Sequence, residues 1–504
     1  MGFLINKAAI NNNIFELAPL DSDSNNNVFT VLIGKNGSGK SRLLSSIAHL
    51  FCSIDVNNKS IKRDMYMYKK TSPYPEVFEI SYYKNSQEAL ISVINRKIHG
   101  LPYDIDISTK KHFTPESLIC ISTSPFDRFP TEREYYSPLK KANNEGFYFY
   151  YGMKERGYSN PVVILLEKVI FLLSAKTNIN QKNAFVKTLS FLDYEPKIKA
   201  IFRTRISMRK LIDNMRELNI DDFLTYIFSL TKTNRSYYEK NNNIDYLSIC
   251  EAIESINHVF FSDFNPRFVD ITIDYSNDDY STNITEDIIT KIKILSDINL
   301  LSLHDVILYP EENDSYYQNY KGEYEPGRSL YDASSGEQCI LLSTLSIASS
   351  IENNSLILID EPEISLHPEW QETYIDLLMK IFSTHNGCHF IIATHSPQIV
   401  SRLNNNNCYI TQTDTGVVTP SSEYIDKSAD FQLARLFNTP GKENEYLRRL
   451  AVNVLTEISK ESYENSVTNV RDINILMGVY PKLESDDTVK SLIELIIKAR
   501  GTKK

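Results

Sequence analysis

The stretch Gly34-Lys35-Asn36-Gly37-Ser38-Gly39-Lys40-Ser41 limits what this chain can fold into more than any other. It follows the apolar run Val28–Ile33 and opens the segment Ser41–Phe51, whose apolar residues recur at helical spacing. Buried strand, glycine-rich turn and amphipathic helix, in that order, make a cradle for phosphate. The glycines let backbone N–H groups curl around the anion, and the helix N-terminus adds its dipole. Lys40 is expected to reach the β- and γ-phosphates of ATP and Ser41 to ligate Mg2+, with Arg42 closing the nucleotide-binding stretch.

A second apolar run, Leu356–Ile359, ends in Asp360-Glu361. A carboxylate at a strand's C-terminal end, expected here beside the phosphate-loop strand, suits a Mg2+ ligand, and Asp360 takes that role. Glu361 is then placed to polarise the attacking water as a general base. A third run, Cys388–Ala393, ends in Thr394-His395-Ser396-Pro397, where His395 is expected at the γ-phosphate or the water. His389, inside that run, reads as structural, and His367 is left open. A fourth element, Ser334-Ser335-Gly336-Glu337-Gln338, precedes the helical run Cys339–Ser349 and offers an anion-binding helix start.

The remaining chain divides, on pattern, into residues 1–150 and 266–425 as the two parts of an α/β nucleotide-binding head, a helical insertion at 151–265 and a helical tail at 426–504. Between Val77 and Ile119 the β-like runs EVFEISYY, EALISVI, YDIDI and LICIS suggest an antiparallel layer beside a mixed sheet. The Asn241–Asn243 and Asn404–Asn407 runs read as surface loops. Val162–Ala175 is apolar but short and interrupted by Glu167-Lys168, so a buried helix is expected, with no membrane contact. Six scattered cysteines without a C-x-x-C pair suit reduced thiols in the cytoplasm. No secretory leader or myristoylation signal is expected at Met1-Gly2. With a formal charge of -10, any nucleic-acid contact must use a local patch.

Taken together, GKNGSGKS, SSGEQ, LILIDEPEISLHPEWQ and ATHSPQIV resemble, in that order, the four motifs of the ABC ATPase head shared by SMC-like and OLD-type ATPases. The resemblance implies ATP and Mg2+ as ligands and a homodimer, or an oligomer of dimers, in which two heads meet head to tail. Ser335, Gly336 and Glu337 of one subunit would then meet the phosphate held by Lys40 of the other. Within that class, ISTSPFDRFP (Ile121–Pro130) and SADFQLARLFNTP (Ser428–Pro440) resemble the ATPases of Septu-type anti-phage systems, which also accompany some retrons. That resemblance implies a separately encoded HNH nuclease as partner. No glutamine stands where such heads carry their Q-loop, leaving Ser124 or Asp127 for the role, and no residue for stacking adenine can be assigned.

Two other readings compete. An OLD-type nuclease needs metal-binding carboxylates after the third motif, and Asp414 and Glu484-Asp486-Asp487 are the candidates. Neither is expected to follow a buried strand, and the second group reads as a solvated turn. A DNA-maintenance ATPase of the RecF or SMC type would draw on Arg203–Lys210 (RTRISMRK), expected as a basic helical stretch whose simpler reading is a solvated face. A transporter subunit fits the insertion and the DEPEISLHP block less well. The apolar face around Leu447 and Leu450, beside Arg448 and Arg449, is expected either to pack on the head or to dock a partner.

Overall fold

The structure is a computed structural model that describes residues 2–56, 77–85, 87–95, 97–100, 112–124, 126–132, 146–154, 161–174, 178–232, 246–260, 267–276, 281–311, 327–400, 403, 407–424, 427–437, 439–459 and 467–502. The strand expected at Tyr103–Ile107, the Asn241–Asn243 run and Asn404–Asn406 lie outside the described residues.

A strand covered on both faces needs apolar residues at every position, not at alternate ones. Val28–Ile33, Leu118–Ser122, Leu356–Asp360 and His389–Thr394 are buried along their whole length. They lie within a seven-stranded sheet whose order is Val418–Pro420, Cys408–Gln412, Val28–Ile33, His389–Thr394, Leu356–Asp360, Leu118–Ser122, Tyr148–Gly152. Its pairings are parallel except for the short edge strand Val418–Pro420. The strand before Asp360 therefore does not adjoin the phosphate-loop strand, as expected from the sequence; His389–Thr394 lies between them. Register compensates, since Thr394 pairs Ile33 and Asp360 pairs Ala393, so all three motif-bearing ends emerge at one edge.

Alternation of side chains across the sheet divides the head into two cores. Leu32, Leu358 and Ile391 face the helix Lys40–Val56, through Leu43, Leu44 and Ile47, and the antiparallel layer beyond it. Val31, Ile357 and Ile392 face the larger core that includes Ile340 and Leu341 of the helix Ser335–Ala348. Truncating a side chain such as Leu358 to alanine should cost about 2–5 kcal/mol.

The antiparallel layer runs Asn13–Glu16, Phe3–Ile10, Val77–Lys84, Gln87–Ile94, Lys97–His99. LICIS, expected in this layer, belongs instead to the central parallel sheet. Its continuous apolar run is the signature of a strand buried on both faces, whereas Val77–Lys84 buries alternate residues.

The insertion is not wholly helical. It contains the helices Pro161–Ser174, Ile179–Phe191, Met208–Glu217, Ile220–Thr231 and Tyr246–Phe260. Among them the strand Tyr194–Thr204 forms the centre of a second antiparallel sheet, ordered Ser281–Thr282, Phe268–Asp274, Tyr194–Thr204, Leu301–Pro310, Arg328–Ser329. Its period-two pattern, Ile198, Ala200 and Phe202 inward with charged residues outward, was masked by the helices on either side. The stretch Arg203–Lys210 likewise ends this strand, turns, and enters a helix only at Met208.

In the tail, the helices Ala429–Arg435, Glu445–Ser459, Val467–Val479 and Thr488–Thr502 enclose their own core, which includes Leu447, Leu450, Ile473, Val489 and Ile493. The apolar face of Glu445–Ser459 thus packs mainly within the tail. The tail is tied to the head where Leu436 and Phe437 enter the larger core and Gln412 Nε2 donates to the Arg435 carbonyl at 3.1 Å. Among the described residues no helix is long and apolar enough to cross a membrane, and Pro161–Ser174 is largely buried in the head.

Candidate active site

The phosphate loop leaves the sheet at Ile33. A Cβ on Gly34 would lie 1.9 Å from Thr413 Oγ1, so nothing larger than glycine fits there. Thr413 follows the strand Cys408–Gln412 and braces the loop: its N–H donates to the Ile33 carbonyl at 2.9 Å and its hydroxyl lies 2.7 Å from Ser38 Oγ. Lys35, Asn36 and Gly37 form the exposed rim, Ser38 is half-buried, and Gly39 turns the chain into the helix at φ +99°. Arg42, one residue into the helix from Ser41, has a buried Nε without a hydrogen-bond partner.

Lys40 is buried, and its ammonium donates to the Gly34 and Lys35 carbonyls at 2.7 and 3.2 Å. Desolvation lowers its pKa to about 8, against the pull of Asp360, Glu363, Glu361 and Asp414. Lys40 Nζ also lies 3.2 Å from His395 Nδ1. Burial, then the Lys40 charge, lowers the His395 pKa to about 4, so the ring is neutral at pH 7 and Nδ1 accepts from Lys40. That leaves the proton on Nε2, 3.7 Å from Glu361 Oε1, a polar contact and not an ion pair.

Ser41 Oγ donates to Asp360 Oδ1 at 3.0 Å. Asp360 is 3% exposed, and burial raises its pKa to about 7, with the neighbouring carboxylates Glu361, Asp127 and Glu363 adding to the rise. A buried carboxylate crowded by others and bonded to a hydroxyl gains from a hard cation, so the pair fits Mg2+. Glu361, the next residue, has a left-handed backbone at φ +53°, uncommon for a residue with a side chain. Its N–H donates to the Ala393 carbonyl at 2.9 Å and its carbonyl accepts from Thr123 Oγ1 at 2.8 Å. These bonds aim the carboxylate away from the strand toward His395.

Two residues of the site were not identified from sequence. Glu363 Oε1 accepts from the His395 N–H at 2.6 Å, and Gln371 Oε1 accepts from Ser396 Oγ at 2.6 Å. The loop bearing His395 is therefore held by groups from the segment following Asp360. Burial raises the Glu363 pKa, and its Oε2 is buried without a hydrogen-bond partner. Both stand in the DEPEISLHPEWQ block, but no spacing rule says which of its polar side chains turns toward another loop.

Other expectations were corrected or sharpened. Asp127 is buried, with Oδ1 accepting from the Phe129 N–H at 3.0 Å and Oδ2 from the Tyr150 phenol O–H at 2.7 Å, while Ser124 Oγ accepts from the Phe126 N–H at 3.3 Å. Both therefore brace their own loop. His389 accepts the Ile5 N–H at Nδ1, 3.1 Å, and meets Thr30 Oγ1 at Nε2, 2.9 Å, a structural role as expected. His367 is exposed at the start of the helix Pro368–Ile381 and joins none of the site's described hydrogen bonds.

Ser335, Gly336 and Glu337 open the helix Ser335–Ala348, four residues earlier than the sequence suggested. Ser334 is its N-cap, and Glu337 closes a capping box while lying 3.5 Å from Arg328. Gly336 is buried, and a Cβ there would lie 3.0 Å from the Trp370 ring. None of the described hydrogen bonds joins this helix start to Lys40 or Ser41; it packs against the Ile364–Trp370 segment of its own chain.

Asp414, contrary to expectation, does follow a buried strand, Cys408–Gln412, and its charge acts on Lys40. Asp487 is buried and not solvated, accepting the Glu443 and Val489 N–H groups at 3.1 and 2.8 Å. Among the described residues no group of three or more His, Cys, Asp or Glu side chains forms a metal cage.

Residues 16–400 match the model of the AAA ATPase domain family. The chain belongs to that family. It is similar to the Retron Vc95 probable ATPase of Vibrio cholerae serotype O1 biovar El Tor, at 23% identity over 430 residues, 80% of this chain and 73% of that protein. It also matches the Retron Ec83 probable ATPase of Escherichia coli, at 25% identity over 174 residues, 29% of this chain and 32% of that protein, so the matched part spans about a third of that relative. Among solved structures, the SMC head domain from Thermotoga maritima covers 83% of this chain and 97% of that one at 9% identity, with a TM-score of 0.31, a likeness too loose to argue from. Family membership makes this chain an ATPase, and Lys40, Ser41, Asp360, Glu361 and His395 come together at one edge of the central sheet.

Proposed function

We propose that this chain is a Mg2+-dependent ATP switch that works as a homodimer in a retron-associated defence assembly. The observation that carries the chemical part is the convergence of Ser41 and Asp360, 3.0 Å apart, with Lys40, His395 and Glu361 at one sheet edge. The loop amides and Lys40 would bind the phosphates of ATP. Ser41 and Asp360 would hold Mg2+, which neutralises charge on the β- and γ-phosphates when bound. Glu361 takes the proton of the attacking water as its oxygen bonds to the γ-phosphorus and ADP leaves. Neutral His395, oriented by Glu363 through its backbone and by Lys40 through its ring, is placed to donate from Nε2 to the water or the γ-phosphate.

Head-to-tail pairing is supported by the helix Ser335–Ala348. Its exposed Ser334 and Ser335 lie at a helix N-terminus, and none of its described hydrogen bonds reaches its own phosphate loop. A second copy would bring Ser335 to the nucleotide, with ATP as the bridge. Ser335→Arg should leave ATP binding by the single subunit intact and abolish ATP-dependent dimerisation in sedimentation velocity. Dimerisation equal to wild type would remove the case for a shared site.

The retron names of the two relatives support placement in a defence assembly, and the resemblance of SADFQLARLFNTP to Septu-type ATPases is what suggests an HNH-type nuclease as the controlled partner. Affinity purification of Glu361→Gln from native cells tests it: a co-purifying HNH nuclease supports the reading, and recovery of DNA-repair factors alone supports the maintenance alternative.

A further inference from the structure

The outer face of the second sheet carries a stripe of cations that the nucleotide chemistry does not use. Along Tyr194–Thr204, Lys197, Lys199, Ile201 and Arg203 point away from the core, while Ile198, Ala200 and Phe202 point into it. Acidic neighbours offset one end: Lys199 meets Asp270 at 3.8 Å, and Asp274 pairs across from Lys197. The other end is different. Arg203, Arg205, Arg209, Lys210 and Arg267 are all exposed, and among the described residues none forms an ion pair.

A cleft of about 380 Å³ opens at this end, lined by Arg203, Thr204, Arg205, Leu230 and Ser302. Flat ring surface lies beside it. Phe268 and Ser302 sit directly across from Arg203 on the two neighbouring strands, so they share its face of the sheet. The Phe268 and His304 rings are 5.4 Å apart, with His304 exposed. In a chain of net charge -10, a cleft lined by Arg203 and Arg205, with Arg267 joined to Thr204 through its backbone carbonyl and with adjacent rings, is a local exception, and among the described residues these cations form no ion pair. Fixed cations suit phosphates, hydroxyls suit phosphate or sugar oxygens, and rings on an open sheet face suit unstacked bases.

We propose that this face binds single-stranded nucleic acid, with Arg203, Arg205 and Arg267 on the sugar–phosphate backbone and a base against Phe268 and His304. The site is separate from the ATPase centre and does not rest on how that centre works. A duplex, whose bases are stacked inward, would gain the phosphate contacts but not the ring contact.

The test is fluorescence anisotropy of the full chain with a labelled oligothymidylate of about 20 nucleotides, longer than the ~4–16 nucleotides that one single-strand module occupies. Affinity should fall steeply with salt, by a log–log slope of roughly -0.7 per phosphate contact. Arg203→Glu with Arg205→Glu should weaken binding at least tenfold and flatten the slope by about 1.4, two contacts' worth. His304→Ala should weaken binding without changing the slope. Arg448→Glu with Arg449→Glu makes the same charge change on the tail and should leave affinity near wild type. The milder Arg203→Gln with Arg205→Gln covers the case in which charge reversal disturbs folding, as read by thermal unfolding. No saturable binding by wild type at about 50 mM salt, wild-type affinity in both Arg203/Arg205 variants, or an equal loss in the tail control would overturn the proposal.

Discussion

Asp360 ends a strand of the central sheet, with Glu361 and Glu363 just after it, and Glu484, Asp486 and Asp487 precede the last helix of the tail. Both are short acidic turns that a sequence offers as candidates for metal or acid–base chemistry. In the tail the charges are balanced: Lys442 meets Asp486 at 2.7 Å and Glu484 at 3.2 Å, and this holds the Asp486 carboxyl below its usual range. Asp487 is occupied by backbone N–H groups. At the sheet edge, among the described residues, no lysine or arginine forms an ion pair with these carboxylates, although Lys40 acts on them at longer range; burial and mutual repulsion raise the Asp360 pKa to about 7, and one oxygen of Glu363 has no hydrogen-bond partner. Carboxylates already satisfied by their own chain hold a turn together. Carboxylates kept short of positive charge have affinity left for a cation or a proton.

The largest test of this contrast is Lys40→Ala, which removes the buried cation facing the phosphates and should abolish ATP binding in isothermal titration; binding at wild-type strength would mean the phosphates sit elsewhere. Glu361→Gln should still bind ATP but lower the hydrolysis rate about 10²- to 10⁴-fold. Glu363→Ala should release the loop carrying His395 and lower kcat roughly tenfold, about 1.4 kcal/mol of positioning, with little change in ATP affinity. A loss confined to ATP affinity would instead mean that Glu363 serves binding.

Desolvation acts on a buried base in the opposite direction, which gives a pH test. Burial lowers the His389 pKa from 6.5 to about 3, so the folded chain holds this ring neutral while the unfolded chain protonates it. Stability should be complete above about pH 6.5 and fall on acidification toward pH 3, by up to about 1.4 kcal/mol per pH unit from this residue. His389→Gln should flatten that slope in urea unfolding, and an unchanged slope would assign the acid sensitivity to other groups. The smallest effect belongs to Lys442→Ala: exposed pairing contributes little, so the unfolding midpoint should move by about 2 °C or less and ATP turnover should not change.

The nucleotide site was legible because its chemistry is written in contiguous letters. A glycine loop needs its glycines together, and Asp360, Glu361 and His395 stand at the ends of short, mainly apolar runs. What was missed depends on pairing between distant segments. LICIS could be placed in the parallel sheet only by noticing that its apolar run does not alternate, and Tyr194–Thr204 was hidden because a single strand lay among helices. Glu363 and Gln371 act on a loop more than twenty residues away in sequence, and Thr413 braces a loop near the other end of the chain. No local pattern carries such contacts.

The most direct test of the central claim is phosphate release at saturating ATP and Mg2+, comparing wild type, Glu361→Gln and a tail variant combining Glu484→Gln with Asp486→Asn. The account predicts slow or no turnover in Glu361→Gln, with ATP still bound, and turnover near wild type in the tail variant. Wild-type turnover in Glu361→Gln, with loss in the tail variant, would contradict it and move the chemistry to the turn read here as structural.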